Sequence, residues 1–311
     1  FNAQQNANSF KNGKAYGVEV RNSDYAVFSS INENISQNLV GYWKMNESTW
    51  AGNTGEIINS ANNYNHGVAV NGATTSDSPF KYGGQFNGTS SWANLGDITQ
   101  LNGVNQFTVS TWVMQTNVTR SERAFHKATD TNNDISLAPF YTSLQQRIYV
   151  EVGNASNSFG YWNAAGVVQN NTWYHMAMVY NGTLTSNSNR LKLYVNGVQR
   201  TLVFSGTIPA TTANLSSRNA AVGATLNSGV ASNWLSGKIA ELRVYNVALS
   251  DQHVQNLYKY NSRTIDSINY DLPGNLETDI ISDSKIILFD EGGFRPNFTN
   301  FLFHKFFIVI F

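Results

Sequence analysis

Three stretches decide the fold: Trp173-Tyr-His-Met-Ala-Met-Val-Tyr180, Leu191-Lys-Leu-Tyr-Val-Asn-Gly-Val198 and Gly237-Lys-Ile-Ala-Glu-Leu-Arg-Val-Tyr-Asn-Val-Ala-Leu-Ser250. All are rich in β-branched and aromatic residues, and each reads as a strand or hairpin. In the second, Asn196-Gly197 lies between two β runs. That pair favours a two-residue type I′ turn, in which both central residues take positive φ. The third belongs to a last long strand predicted from Trp234 to Val247. Beyond it, Ser250-Asp251 starts a helix, with Val254, Leu257 and Tyr258 at helical spacing.

Working outward, Phe107 to Gln115 alternates. Phe107, Val109 and Val113 point one way, and Ser110, Trp112 and Met114 the other. Apolar groups on both sides predict a central strand of a packed sandwich. Leu39–Met45 opens the central unit as a strand, and 65–70 adds another. Residues 84–86 and 91–95 are expected to pair around the turn Asn87-Gly88. Short strands with frequent turns and almost no helical period give an all-β fold, an antiparallel β-sandwich with one short C-terminal helix.

The chain has 311 residues, of which 41% are apolar, 13% aromatic and only 13% charged. Such a chain can bury a sizeable core and keeps its surface wet through Asn, Ser, Thr and Gly. Its 20 basic and 20 acidic residues cancel, with no block of like charge. Nucleic acid and anionic membranes are therefore not expected as partners. There is no Cys, hence no disulfide framework and no thiolate metal site. Sequons at Asn87, Asn117, Asn181 and Asn214 arise readily from an Asn/Ser/Thr-rich composition and carry little weight.

Three parts are expected: 1–38, 39–261 and 262–311. In the first, Ala15–Val20 and Asp24–Ser29 alternate around a polar turn and read as a hairpin. The chain starts at Phe1 with no apolar leader, as processing or fragmentation would leave it. Phe301–Phe311 is strongly apolar but too short to span a bilayer, so no clear membrane span is expected. It reads as a buried strand, the beginning of a truncated membrane segment, or sequence not natively displayed.

The central unit resembles the laminin G-like, concanavalin A-like jelly-roll family of bacterial surface proteins. The likeness is carried by Gly41–Glu47, Asn65–Gly67 through Ala73, Tyr82–Gly88 followed by Trp92, Phe107–Val113, Trp173–Ala177, Leu193–Gly197 and Ile239–Asn246. It covers nearly all of 39–261 and neither flank. The resemblance implies a jelly roll and, since most such domains bind, a non-catalytic role. It also places Trp43, Trp112 and Trp173 on core strands. Relatives usually carry Asp where this chain has Asn46, Asn87 and Ala240, so the family's calcium carboxylates are missing there. Residues 13–30 are also similar to the sheet region of bacterial pseudopilins, without the apolar helix that defines pilins.

Glycoside hydrolysis needs two carboxylates at a set separation. The Glu-x-Asp-x-x-Glu run of hydrolases on the related jelly roll does not occur here. Glu151 and Glu241 are single acids on different predicted strands, and Glu19 lies outside the domain. His66 and His175 read as structural. For a metal, Asp130, Asn132 and Asp134 recur every second residue, as in calcium loops. Ile135 stands where Gly is expected, however, and Tyr141 at the distal ligand position. Without calcium at that loop, no cofactor is expected.

Sugar binding wants flat rings among amides and hydroxyls. Phe159, Tyr161, Trp162 and Asn163 meet that in composition, and Trp50 and Tyr64 lie in a second polar stretch. The expected function is therefore a non-catalytic, extracellular or cell-surface binding and adhesion module. It would recognise a glycan or an extracellular protein through loops at the sandwich edge. The alternatives are a structural subunit of a surface filament that contacts copies of itself and, more remotely, a glycoside hydrolase.

Overall fold

The computed structural model describes residues 38–118, 121–141, 147–261, 286–288 and 308–310. The chain divides into two units, Ile35–Thr264 and a second formed by Phe1–Asn34 with Ile265–Phe311. The hairpin expected at 15–29 lies outside the described residues.

The first unit carries eighteen strands among the described residues. They are β1 (Leu39–Trp43), β2 (Val68–Val70), β3 (Thr74–Ser78), β4 (Lys81–Asn87), β5 (Trp92–Asn94), β6 (Gln106–Gln115), β7 (Phe125–Asp130), β8 (Asn133–Tyr141) and β9 (Arg147–Val152). They continue with β10 (Phe159–Asn163), β11 (Trp173–Asn181), β12 (Leu191–Val195), β13 (Val198–Arg200), β14 (Val203–Ser205), β15 (Ala220–Val222), β16 (Thr225–Asn227), β17 (Val230–Ser232) and β18 (Ser236–Tyr245). Two α-helices accompany them, α1 (Asn187–Arg190) and α2 (Asp251–Asn261). In the second unit β19 (Ile286–Leu288) pairs antiparallel with β20 (Ile308–Ile310), so part of the apolar tail is a strand.

Two antiparallel sheets face each other. One runs β13-β12-β11-β6-β18-β4-β3, with β1 added on β18; the other runs β14-β10-β9-β8-β7-β15-β5-β2. Period-two alternation sends one set of side chains from each sheet inward. Phe107, Val109, Val113, Met176, Met178, Leu193 and Val244 from the first sheet meet Phe125, Ile135, Leu137, Ile148, Val150 and Val222 from the second in one core. Each such side chain contributes about 1.5–3 kcal/mol by leaving water.

The first sheet's outward face is also apolar at one end. There Ala177, Val179, Tyr194 and Tyr245 pack beneath Val254 and Leu257 of α2. Ser250 Oγ accepts from the His253 N–H and caps this helix. Tyr258 stacks on Trp112, ring centroids 5.7 Å apart. Trp112 is thus buried under the helix rather than between the sheets, and Trp173, on the same outward face, is only half-buried. Trp43 alone of the three lies in the main core.

The Asn196-Gly197 turn forms as its sequence requires, with φ of 52° and 74° and Val195 paired to Val198. A Cβ on Gly197 would sit 3.0 Å from Tyr258 Cδ1. Gly197→Ala should therefore lower the unfolding free energy by about 1 kcal/mol, from positive φ alone; urea melts would show it. Asn87-Gly88 turned out differently. Its flanking strands do not pair with each other: β4 joins β3 and β18, and β5 joins β2 and β15. Asn87 Oδ1 accepts the N–H groups of Thr89, Ser90 and Ser91 and coils the chain into a crossing between sheets.

Candidate functional site

The second sheet's outward face carries the chemistry. On β10, alternation turns Phe159 and Tyr161 outward and Trp162 inward, where Trp162 packs on the core. Gly160 lies between them because a Cβ there would meet Leu202 at 2.8 Å and Phe204 at 3.0 Å. Tyr149 of β9 stands directly opposite Tyr161, ring centroids 5.5 Å apart and nearly parallel. Phe159 closes on Tyr149 at 5.0 Å. Arg147 spreads its guanidinium 3.9 Å from the Tyr161 ring centre, a cation–π contact. The three rings form one strip along β9 and β10, Phe159 and Tyr161 partly exposed over the buried Tyr149, with exposed Asn157 and Asn163 at its ends.

The strip continues into a buried polar row. Cross-strand register aligns Phe159, Glu151, Ser136, His126 and Ala221 across five strands. Arg123 Nη2 lies 3.6 Å from Glu151 Oε2, and His126 Nε2 lies 3.8 Å from Asp134 Oδ2. His126 Nδ1 accepts from the Leu226 N–H of β16, and Ser228 Oγ donates to the Thr129 carbonyl. The β16–β17 hairpin is thereby fastened over this end of the row.

Burial, then the charge of Arg123, pushes His126 down to about 3 and keeps it neutral. Burial, reinforced by Glu151, raises Asp134 well above the carboxylate range. Burial also raises Glu151, against the pull of Arg123. Asp134 is 4% and Glu151 7% exposed, so both acids are sealed from a substrate. Glu241 is likewise internal: it accepts from Tyr42 Oη at 2.6 Å and Arg243 Nη2 at 2.8 Å.

The residues expected from sequence are dispersed. Phe159 and Tyr161 join the strip, Trp162 faces inward with Arg200 stacked at 4.7 Å, and Asn163 is exposed beside them. Tyr64 is 75% exposed on an Asn-rich loop. Trp50 departs from expectation. It is 4% exposed in the core, its indole N–H on Glu47, because Gly84 beneath it leaves room for the ring. Asp130 Oδ1 accepts from the Asn132 N–H and Asn133 Nδ2, and Oδ2 from Thr129 Oγ1 and Asn133 Nδ2. Its carboxylate is thus held by amides of its own turn, Asn132 is exposed, and Asp134 turns into the buried row. Among the described residues no three His, Cys, Asp or Glu side chains form a group that could hold a metal ion.

Sequence reasoning missed Tyr149, Arg147, Arg123 and His126. The signal for the first two was present: Arg147-Ile-Tyr-Val-Glu-Val152 alternates strictly, with Ile148, Val150 and Val152 inward.

No curated protein sequence matches this chain. Among solved structures, domain 4 of AbnA, an extracellular GH43 arabinanase from Geobacillus stearothermophilus solved with arabinotriose, is similar at 22% identity and TM-score 0.52, over 71% of this chain and 98% of that one. A structure of botulinum neurotoxin type C, described as entering cells through two ganglioside molecules, is similar at 11% identity and TM-score 0.53. The match spans 82% of this chain and 55% of the toxin chain. These likenesses are of fold. The profile of the concanavalin A-like lectin/glucanases superfamily matches residues 87–255, more than half the chain, and this protein belongs to that superfamily.

Proposed function

We propose that this domain is a non-catalytic carbohydrate-binding module that works outside the cell, holding a saccharide along the β9–β10 strip. The observation that carries the reading is the pair of partly exposed rings Phe159 and Tyr161, backed from beneath by the buried ring of Tyr149 and flanked by Arg147 and by exposed amides. Rings offer the C–H faces of a sugar an apolar floor, and amides satisfy its hydroxyls. The structurally similar arabinanase domain, solved with arabinotriose, and the ganglioside-dependent toxin support the class of ligand.

The test is calorimetry against neutral and sialylated oligosaccharides. Tyr161→Ala is expected to weaken binding about tenfold, the value of one aromatic contact. Unchanged affinity in that variant would remove the strip as the site. Burial of Asp134 and Glu151 supports the non-catalytic part of the reading. Turnover of any glycan, abolished by Glu151→Gln, would replace it with hydrolysis.

A further inference from the structure

At one end of the sandwich, a turn of 3-10 helix (Thr99–Leu101) leads into β6 beside the loop carrying Thr211 and the end of β18. A cleft of about 400 Å³ opens there, lined chiefly by Gln100, Val104, Asn105, Gln106, Thr211 and Asn246. Four of these side chains are carboxamides, one is a hydroxyl, and none is ionisable. The volume of the cleft lies in the range of small-molecule sites.

The amides are available. Gln106 Oε1 accepts from the Ala248 N–H at 3.4 Å, which leaves its NH₂ unused. Gln100 accepts from Thr99 Oγ1 in the same way. Thr211 Oγ1 accepts from Asn154 Nδ2 and retains its own proton to donate. The side chains of Asn105 and Asn246 make no hydrogen bond among the described residues.

A carboxamide offers two donors and an acceptor from one rigid plane. Vicinal hydroxyls, each donor and acceptor together, are the complement of such a wall. Gln100, Asn105, Thr211 and Asn246 are exposed, and an anion there would meet no cation and an ammonium no carboxylate among the lining residues. Val104 is the one apolar side chain among the lining residues.

We infer that this cleft is a second saccharide site, selective for a neutral sugar unit and independent of the β9–β10 strip. It rests on the carbohydrate-binding reading for the class of ligand, but shares no lining residue with the strip. Its place on loops at the end of the sheets suits a terminal sugar unit, whereas the open strip suits the run of a chain. Two sites on one domain would raise avidity for a polymer that can reach both.

The experiment is a two-dimensional ¹H–¹⁵N NMR titration of the full chain, following the side-chain NH₂ signals of Asn105 and Asn246. The probes are arabinotriose, cellotriose and free N-acetylneuraminic acid. Those signals should move with at least one neutral trisaccharide and not with the free sialic acid. The surface variant Asn105→Ala with Asn246→Ala should weaken that response at least tenfold, while Tyr161→Ala leaves it intact. The cleft is ruled out if its signals stay still with both neutral probes at about 10 mM, beyond the weakest useful affinity. An equal response to free N-acetylneuraminic acid, or wild-type binding by the double variant, would overturn it as well. Failure of the strip reads separately, as a Tyr161→Ala variant that binds normally while the cleft variant does not.

Discussion

Lys127→Met is expected to lower the unfolding free energy by about 2–4 kcal/mol, the cost of leaving two carbonyls without their donor and a half-buried carboxylate without its cation. That is a large part of a typical domain's margin. Lys127 lies on β7 with its side chain fully buried at the end of the core. Its ammonium donates to Asp97 Oδ1 at 2.6 Å, to the Leu215 carbonyl at 3.0 Å and to the Arg218 carbonyl. All three N–H bonds are used, so the charge is fully solvated by protein. Methionine fills the space but leaves the two carbonyls without their donor and Asp97, which keeps the Ser217 N–H, without its cation. Burial pushes Asp97 upward, yet hydrogen bonds from Lys127 and the Ser217 N–H carry it below its usual range. Stability from Asp97 is therefore present at neutral pH and lost as pH falls through that lowered value. Urea melts of wild type, Lys127→Met, Asp97→Asn and the double variant would measure the coupling. The double variant should recover part of the loss. A single variant within about 1 kcal/mol of wild type would mean that the pair is replaceable by packing.

The second large effect is on acid stability. His126 and His175 are both buried and both held neutral to about pH 3, by burial first and then by Arg123 and Arg243 respectively. In the unfolded chain each would take a proton near about 6.5. The sign follows: their contribution is fully present above about pH 6.5 and is lost as pH falls toward 3. Each can remove up to about 1.4 kcal/mol per pH unit in that window. Asp134 and Glu151 act oppositely, because their raised values favour the folded state at low pH and cost stability as pH rises. The wild-type profile is thus flatter than two imidazoles alone would make it. A difference measurement isolates one of them. His175→Asn, which keeps a polar neighbour for Ser110 Oγ, should reduce the slope of stability against pH by about one proton between about pH 6 and 4. Parallel profiles for the two proteins would refute the assignment.

What the sequence disclosed was local. Asn196-Gly197 needs only its own φ values to define a turn. The alternation from Phe107 to Gln115 needs only the period of a strand, and Ser250 caps its own helix. What it withheld was neighbourhood. Residues 84–95 look like a hairpin because nothing in them says that β4 will be claimed by β18 and β5 by β15. Trp50 looks like an exposed platform because the space it fills is made by Gly84, far along the chain on β4. Arg147, Tyr149 and Glu151 could be assigned to one face by alternation. That this face continues through Ser136 to His126 depends on register across strands joined by loops of variable length. The ring strip was half legible for the same reason: Phe159 and Tyr161 stand in one segment, and their partner Tyr149 in another.

Strand β18 pairs with three others. Its first half meets β4, its second half meets β1, and β6 runs along both, with a bulge at Glu241, whose φ is 57°, at the handover. The middle of the first sheet is thus the last strand of the domain to be synthesised. Until residue 245 clears the ribosome, β1, β4 and β6 have no common partner and the sheet stands open along its centre. Contacts this distant in sequence make for slow folding and for a long-lived unpaired edge. A nascent chain stopped anywhere before β18 would lose its keystone rather than its rim, and would be a substrate for chaperones and proteases, not a smaller working domain.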